Sequence, residues 1–385
     1  VTQQKDWIAM KIAVLGYGTV GKGVDRIISE RVSGVEVSRI LELPDRLTDP
    51  RMTSDYAEIV EDDDIEVVVE CMGGLEPAHT FILDALAKGK SVVTSNKAVV
   101  AAYFDEFVRQ ANATEASLLI EASVGGGIPW IASIEKVRRI DEVTSFSGIM
   151  NGTTNFIVDA MVKEDADFDQ VLAEAQALGY AERDPSADVD GVDVRNKTII
   201  TVGVAFDTAC EKDIPTTGIR TLTKGDLDAL RALGRGVKLL GRGVQREGGY
   251  AAAVEPVAVP IESLEANVPS NFNLISLDAT TVGPLKFYGQ GAGMLPTGNA
   301  MVQDVLDFAA GRRPRYDFSR GLAWRPELLT SDYVFRTRAE LDGAEPFGEG
   351  MVVVRGLSAV KAREVFEYAT SVDATSFMAA LPQEG

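Results

Sequence analysis

The sequence predicts an α/β fold in its N-terminal part, an α+β region with a mixed sheet after it, and a short C-terminal α+β extension. Short apolar strands alternate with helical segments over residues 10–123, a glycine-rich turn follows the first strand, and strand-like segments recur at 250–260 and near the C-terminus. Alternating strands and helices are typical of a parallel sheet with helices on both faces. A chain of 385 residues is long enough for about two to three domains.

The composition excludes several classes of function. The sequence has 58 acidic and 38 basic residues, and the net charge of −20 repels nucleic-acid phosphates. No apolar run approaches the ~20 residues of a membrane span or resembles a signal peptide. Two cysteines fit a reducing compartment better than a disulfide framework. We therefore expect a cytoplasmic protein that binds small molecules rather than nucleic acid or membrane.

Histidine chemistry is restricted to one residue, His79. A multi-histidine metal site is therefore impossible. We expect His79 to be a surface or capping residue near the start of its helix, with no proton relay around it.

The first strand, predicted at 11–15, runs directly into Gly16-Tyr17-Gly18-Thr19-Val20-Gly21, which opens a helix predicted to end near residue 32. In this G-x-G-x-x-G pattern the first glycine makes a tight turn and the second lets the backbone approach a pyrophosphate. The third lets helix and strand pack closely. The motif predicts a Rossmann-type dinucleotide site, the alternative being a glycine-rich turn in another α/β domain.

The second strand, predicted at 35–43, carries the residue that should distinguish the two nicotinamide coenzymes. Glu42 lies at its end, somewhat beyond the usual ~20 residues after the first glycine. A carboxylate there accepts hydrogen bonds from ribose hydroxyls and repels a 2′-phosphate. Arg39 and Arg46 are nearby cations that would favour the opposite, and Glu42 could also be a solvated strand end. We expect NAD as the preferred coenzyme and NADP as the alternative.

The strand and helix signals then continue to residue 123. Strands are predicted at 65–70, 91–94 and 117–122, with helices at 76–88 and 99–111. The segments 71–74 and Ser95-Asn96-Lys97 follow two of these strands, at the edge where open α/β sheets bind ligands. After Glu121, three consecutive glycines at 125–127 expose carbonyl oxygens that could surround a hard cation, or they form an interdomain hinge.

A second concentration of polar residues lies in the middle of the chain. A strand predicted at 143–150 leads into Asn151-Gly152-Thr153-Thr154-Asn155, interpreted as either a helix cap or a substrate loop before a helix at 156–162. A helix predicted at 168–178 ends at Gly179. The next helix is predicted at 192–206, and its Asp193 and Lys197 share one face.

Five carboxylates surround the start of this last helix, and they define the main functional hypothesis. They are Glu182, Asp184, Asp188, Asp190 and Asp193. The functional interpretation is that carboxylates hold a cationic amine while Lys197 moves a proton. The alternative is a helix-stabilising ion pair after an acidic loop.

The order of these motifs resembles the homoserine dehydrogenase family over residues 10–312. The matching segments are GYGTVG, SNK, EASVGGGIP, NGTTNFI, GYAERDPSADVDGVDVRNK and YGQGAGMLPTG. The resemblance implies reversible NAD(P)-dependent reduction of L-aspartate 4-semialdehyde to L-homoserine, in threonine and methionine biosynthesis. Leu41 stands where NADP-using members tend to carry arginine, which supports NAD. No aspartate kinase segment precedes the motifs, so we expect a monofunctional form.

The resemblance also implies roles for individual residues. Lys197 matches the catalytic acid/base, Asp193 lies beside it, and Lys97 matches a lysine near both nicotinamide and substrate. The implied substrate contacts are Gly179, Glu182, Asp188 and Asp193. The implied coenzyme contacts are Gly16, Gly18, Thr19, Val20, Gly21, Met72, Gly73, Lys97 and Gly293. The implied sodium site uses Glu121, Val124, Gly126 and Ile128, largely through carbonyl oxygens.

The predicted domains are a dinucleotide-binding domain at 10–123, a catalytic and dimerisation domain at 124–296, a returning helix at 297–317 and a C-terminal extension at 318–385. The extension suggests a reduced ACT-like remnant, and we make no prediction of threonine feedback. We expect a homodimer paired through the sheet that contains residues 250–260, with a tetramer as the alternative.

Two other functions remain open at this point. One is a different NAD(P)-dependent reductase of an amino-acid aldehyde or imine, and the other is a non-catalytic NAD-binding regulator.

Overall fold

The computed structural model describes residues 10–382, and its contacts divide the chain into two compact units. Unit I comprises residues 10–135 and 292–319, and unit II comprises residues 136–291 and 320–382. The first boundary thus falls after Glu135, whereas the sequence analysis placed it after residue 123. No described helix has the length and apolar character needed to span a membrane.

Unit I is a six-stranded parallel sheet flanked by helices. Its strands are β1 (Met10–Leu15), β2 (Val35–Leu41), β3 (Met52–Thr53), β4 (Ile65–Glu70), β5 (Ser91–Thr94) and β6 (Leu118–Leu119). Its helices are α1 (Thr19–Arg31), α2 (Ala57–Val60), α3 (Ala78–Ala87), α4 (Lys97–Thr114), the beginning of α5 (Trp130–Arg138), and α11 (Met294–Ala309). The strand order is β3-β2-β1-β4-β5-β6. The chain therefore leaves β1 at the point where the sheet order reverses, the usual ligand-binding position.

The core of unit I forms where α1 and α11 pack over the sheet. Val14, Val69 and Val305 are fully buried in this cluster. The two helices approach closely because Gly23 and Gly298 face each other: a Cβ on Gly23 would lie 2.7 Å from the carbonyl oxygen of Met294. Helix α11 thereby becomes part of the first unit although it follows the middle of the sequence.

Several boundaries in unit I differ from the sequence prediction: β2 ends at Leu41 rather than 43, and α4 is Lys97–Thr114 rather than 99–111. The strand predicted at 117–122 is only Leu118–Leu119, followed by a 3₁₀ turn at Glu121–Ser123. Helix α3 begins at Ala78 rather than 76, with Pro77 as its N-cap. Helix α11 begins at Met294, three residues before the predicted returning segment at 297–317, and ends at Ala309.

Unit II is built on a mixed ten-stranded sheet. Its strands are β7 (Val143–Ile149), β8 (Arg235–Arg246), β9 (Gly249–Pro260), β10 (Phe272–Ala279), β11 (Gly283–Gln290), β12 (Ala323–Trp324), β13 (Thr330–Arg336), β14 (Glu345–Pro346), β15 (Val352–Ser358) and β16 (Phe377–Leu381). Its helices are α6 (Gly152–Lys163), α7 (Phe168–Ala177), α8 (Ser186–Val189), α9 (Val192–Phe206), α10 (Lys224–Ala232) and α12 (Ala359–Val372). The order is β11-β10-β7-β8-β9-β16-β13-β15-β14, with β12 on β9.

The C-terminal strands continue the sheet of unit II. Strand β16 runs parallel to β9, with Ala380 opposite Val257. Tyr333 and Phe335 of β13 are fully buried in the adjoining core. Strand β9 is consequently an interior strand, buried along its length except at Pro260. The predicted fold class, a parallel Rossmann-type sheet followed by a mixed sheet, is confirmed.

Candidate functional site

The glycine-rich turn between β1 and α1 lines a cavity of about 470 Å³ in unit I. Gly16 has φ +89°, which side-chain-bearing residues rarely adopt, and a Cβ on Gly21 would lie 2.1 Å from the Gly16 carbonyl oxygen. Gly18 caps α1 with open space over its Cα. Thr19 and Val20 begin α1, whose N-terminal amides and dipole favour a phosphate. The turn therefore offers a pyrophosphate site next to the cavity.

Glu42 lies in the wall of the same cavity. Its Oε2 accepts the backbone N–H of Tyr17 at 3.0 Å, and its Oε1 accepts that of Leu43 at 2.9 Å. These two amides fix the carboxylate against the glycine-rich turn. Of the two competing cations, Arg39 pairs with Glu58 outside the cavity lining, whereas Arg46 belongs to the lining.

Two further loops of unit I carry predicted site residues at the carboxyl ends of β4 and β5. Met72 and Gly73 line the cavity, and Gly73 has φ +79° with open space over its Cα. Lys97 is exposed at the first position of α4. The side chain of Asn96 caps that helix by accepting the N–H of Val99 at 3.2 Å. Gly293, with φ +124°, caps α11 in the same unit.

The glycine-rich loop after β6 places the predicted sodium ligands on one turn. The Glu121 carboxylate is buried and accepts the N–H groups of Ile131 at 3.0 Å and Ala132 at 2.6 Å, at the start of α5. Burial raises the pKa of Glu121 to about 7. Because this carboxylate caps a helix, backbone carbonyls are the groups that would face a cation.

The carbonyl oxygens of this loop fit a cation unequally. Those of Val124 and Gly126 accept no hydrogen bond from residues 10–382, while that of Ile128 accepts the N–H of Trp130 at 2.7 Å. No group of three or more His, Cys, Asp and Glu side chains in the described chain is arranged to bind a metal. The loop thus offers backbone carbonyl oxygens, rather than a cluster of side chains, as possible ligands of a cation.

The acid/base candidate of unit II is an ammonium group buried between α9 and the end of β7. Lys197 is 7% exposed, and its Nζ lies 2.7 Å from Oδ2 of Asp193 and 2.6 Å from the carbonyl oxygen of Met150. An ammonium group has three N–H donors. Two described groups accept from this ammonium, Asp193 and the Met150 carbonyl, so a third N–H could serve a further acceptor.

Asn151 joins this pair to a second carboxylate. Its Nδ2 donates to Oδ1 of Asp188 at 2.6 Å and to Oδ2 of Asp193 at 2.9 Å, while its Oδ1 accepts the N–H of Thr154. Burial and, to a smaller extent, the charge of Asp193 raise the pKa of Asp188. The segment after β7 is therefore the cap of α6, and its Asn151 also bonds the two carboxylates. The alternative role as a substrate loop stays a prediction.

The other acidic residues of the predicted cluster lie apart. Asp190 pairs with Arg220 at 2.7 Å, and Asp184 accepts the N–H of Ser186. Glu182 is exposed, and no hydrogen bond in the described chain joins its carboxylate to Asp193 or Lys197. Gly179, with φ +75°, follows the end of α7 and turns the chain toward Glu182.

His79 departs from the sequence expectation. Its ring nitrogens lie 3.0 Å from Oε1 of Glu76 and 3.1 Å from Oε2 of Glu106, and its ring stacks on Tyr103. It is thus a bridge between the start of α3 and α4 rather than a plain surface residue. Glu106 could not be assigned to it from the sequence, because it lies on another helix, 27 residues away.

The matching family models, the similar curated proteins and the similar solved structures all belong to one family. The family described as "Homoserine dehydrogenase, NAD binding domain" matches residues 16–121, and "Homoserine dehydrogenase" matches residues 129–306. The homoserine dehydrogenase of Corynebacterium glutamicum is 39% identical over 79% of this chain and 73% of that protein. That of Mycobacterium leprae is 40% identical over 89% of this chain and 87% of that protein.

Solved structures agree over almost the whole chain. A homoserine dehydrogenase from Thiobacillus denitrificans superposes with a TM-score of 0.87 at 30% identity, covering 98% of this chain and 99% of that one. A hyperthermophilic archaeal homoserine dehydrogenase in complex with NADPH has a TM-score of 0.70 at 24% identity, covering 80% and 100%. The second likeness concerns the fold alone.

Proposed function

Because the chain belongs to the homoserine dehydrogenase family, and is therefore an NAD(P)-dependent oxidoreductase acting on a CH–OH group, we propose that Lys197 is the proton donor and acceptor of its reaction. The single observation that supports this role is the buried ammonium group between Asp193 and the Met150 carbonyl oxygen, with a third N–H that could serve a further acceptor. When bound, the nicotinamide coenzyme supplies or accepts the hydride. In the reducing direction, Lys197 gives a proton to the developing alkoxide of homoserine and stabilises its charge.

The substrate's amino group is the natural partner of the acidic residues. Asp193 is fixed by Lys197 and Asn151, and Asp188 shares the same Asn151 amide. Carboxylates held in this way offer lone pairs to the α-ammonium group of an amino acid. We assign Glu182 and Gly179 to the same substrate, and Lys97 to the reacting end, on the family resemblance.

The coenzyme is assigned to the cavity of unit I. The glycine-rich turn with Thr19 and Val20 would hold the pyrophosphate, and Met72, Gly73 and Gly293 the rest of the molecule. Glu42 would accept the ribose hydroxyls. Its fixed carboxylate in the cavity wall supports NAD over NADP, while Arg46 in the same wall is the group that would accommodate NADP.

A sodium ion is assigned to the carbonyl oxygens of Glu121, Val124, Gly126 and Ile128. Its chemistry there is structural, since a bound cation neutralises carbonyl dipoles and holds the turn. Replacing NaCl by choline chloride at equal ionic strength should lower the thermal unfolding temperature as well as the rate. Equal unfolding temperatures in the two salts would contradict the assignment.

We further propose a cytoplasmic homodimer that serves threonine and methionine biosynthesis. The cysteines Cys71 and Cys210 are both free, which suits a reducing compartment. Strand β9 lies inside the sheet and cannot pair with a second subunit. We assign the dimer contact to β11, an edge strand of the same sheet in which alternate residues are exposed. Light scattering that finds only the 41.3 kDa monomer would contradict the dimer.

One assay tests the central proposal. Purified protein should reduce NAD in the presence of L-homoserine and oxidise NADH with L-aspartate 4-semialdehyde. A panel of other amino-acid aldehydes and imines should react more slowly. NADH binding without turnover of any member of the panel would instead indicate a non-catalytic regulator.

A further inference from the structure

Glu70 is a buried carboxylate at the end of β4, with no cationic partner among residues 10–382. Its Oε1 accepts the backbone N–H groups of Met72 at 2.7 Å and Gly73 at 3.3 Å. Its Oε2 accepts the hydroxyl of Thr94 at 2.5 Å. Two of the donors lie in the loop after β4 and the third is the last residue of β5, so one carboxylate links the ends of the two strands.

The loop after β5 is hydrogen-bonded to the loop after β4 through the side chain of Asn96. The hydroxyl of Thr94 also accepts the backbone N–H of Asn96 at 3.0 Å, and Nδ2 of Asn96 donates to the carbonyl oxygen of Gly74 at 2.7 Å. The hydrogen bonds thus form a closed ring through Glu70, Thr94, Asn96 and the turn at 71–74. Asn96 also caps α4. The ring therefore fixes the backbone from which Lys97 projects.

The position of this ring gives it a functional meaning. A buried carboxylate without a cation is costly, and burial raises the pKa of Glu70 while the bonds from Thr94, Met72 and Gly73 oppose that rise. An apolar residue would fill the same space without the desolvation cost of a buried carboxylate. Only a hydrogen-bond acceptor can hold both the Met72-Gly73 turn, which lines the cavity, and the turn that begins the helix of Lys97.

We propose that Glu70 is a positioning residue of the dehydrogenase: it sets the Met72-Gly73 turn for coenzyme binding and, through Thr94 and Asn96, the start of α4 for Lys97. The inference rests on the proposed roles of Gly73 and Lys97. The effects on coenzyme binding and on Lys97 can be tested separately, because the hydrogen bonds to Met72 and Gly73 (the Met72-Gly73 arm) use one carboxylate oxygen and the bond to Thr94 (the Thr94 arm) uses the other.

The test uses Glu70→Gln and Thr94→Val, with Thr94→Ser as the conservative control. Glutamine has one acceptor oxygen in place of two and keeps at most one arm, so Glu70→Gln should raise the NADH dissociation constant or lower kcat by about 10-fold. Thr94→Val removes the Thr94 arm alone, so kcat should fall while NADH affinity stays within about 2-fold of wild type. Thr94→Ser keeps the hydroxyl and should restore kcat.

NADH affinity is measured by fluorescence titration and kcat by homoserine oxidation. Wild-type values for both in Glu70→Gln would overturn the inference. So would equal kcat in Thr94→Val and Thr94→Ser, a comparison that decides the matter even if Glu70→Gln does not fold. Equal loss of NADH affinity in Thr94→Val and Glu70→Gln would show general loosening and also overturn it. If the wild-type enzyme neither binds NADH nor oxidises homoserine, the proposed function fails instead.

Discussion

Lys197 lies one helical turn after Asp193, and its Nζ contacts Oδ2 of that carboxylate at 2.7 Å in a site where both side chains are about nine-tenths buried. A charge pair placed only to stabilise a helix gains little and is usually exposed. Here the ammonium also donates to the Met150 carbonyl oxygen. The pair is therefore built to hold an ammonium group at a fixed point, which is what proton transfer requires.

Replacing Lys197 by alanine should remove the proton donor and leave the coenzyme site of unit I unchanged. We expect kcat to fall by ~10²–10⁴-fold, with NADH affinity nearly unaltered. Steady-state assays and NADH titration measure the two quantities. Lys361→Ala, which breaks the exposed Lys361–Glu364 pair on α12, is the matched control and should keep wild-type kcat. Unchanged turnover in Lys197→Ala would remove this residue from the acid/base role.

Asn151→Ser tests the amide that bridges the two carboxylates. Serine still caps α6, but it is too short to donate to Asp188 and Asp193 together. We expect the homoserine KM to rise by about 10-fold because the carboxylates lose their fixed spacing. NADH affinity and the unfolding temperature should change little. Asn267→Ser, at an exposed asparagine that bonds two carbonyls, serves as control. A wild-type KM in Asn151→Ser would show that substrate binds elsewhere.

Glu42→Ala should shift the coenzyme preference from NAD toward NADP by about 10-fold in the ratio of kcat/KM values. The carboxylate that would accept the ribose hydroxyls is lost, and Arg46 remains in the cavity wall. Because Glu42 also accepts the amides of Tyr17 and Leu43, part of the effect could come from a looser turn. Glu42→Gln removes the charge but keeps one acceptor oxygen for these amides, so a shift that both variants share would come from the lost charge. An unchanged ratio in both variants would assign the preference to another residue.

The sequence was most informative where chemistry depends on local spacing. Gly16 and Gly21 lie in a strand–turn–helix whose geometry requires glycine, and Asp193 and Lys197 share a helix face because they are four residues apart. Helix α9 has the predicted bounds, 192–206. Such features follow from neighbours along the chain, so the sequence alone predicts them.

The remaining features depend on contacts between distant segments. The Met150 carbonyl reaches Lys197 only after β7 and α9 pack, and a backbone oxygen leaves no mark in a sequence. The hydrogen-bonded ring of Glu70 joins two strand ends that are 24 residues apart. Strand β16 joins the sheet beside β9 from the far end of the chain. Local periodicity carries no information about these pairings.

Lys238 provides a test that is independent of catalysis. It is 3% exposed, and its Nζ donates to Oδ1 of Asn155 at 2.7 Å and to the carbonyl oxygen of Val268 at 3.0 Å, two neutral acceptors. Burial lowers the pKa of Lys238 from 10.5 to about 8. Between these values the unfolded chain binds more protons than the native one at this residue. The free energy of unfolding should therefore rise with pH through that window.

Lys238→Met lacks this titration, so the difference in unfolding free energy between wild type and variant isolates it. We expect that difference to move in favour of wild type by about 3 kcal/mol between pH 7.5 and 10.5. Urea unfolding followed by circular dichroism at several pH values measures it. Below pH 8 both states of the wild type carry the charge, so the curve should be flat there. A difference that stays constant up to pH 10.5 would mean that the Lys238 ammonium group costs the folded state nothing.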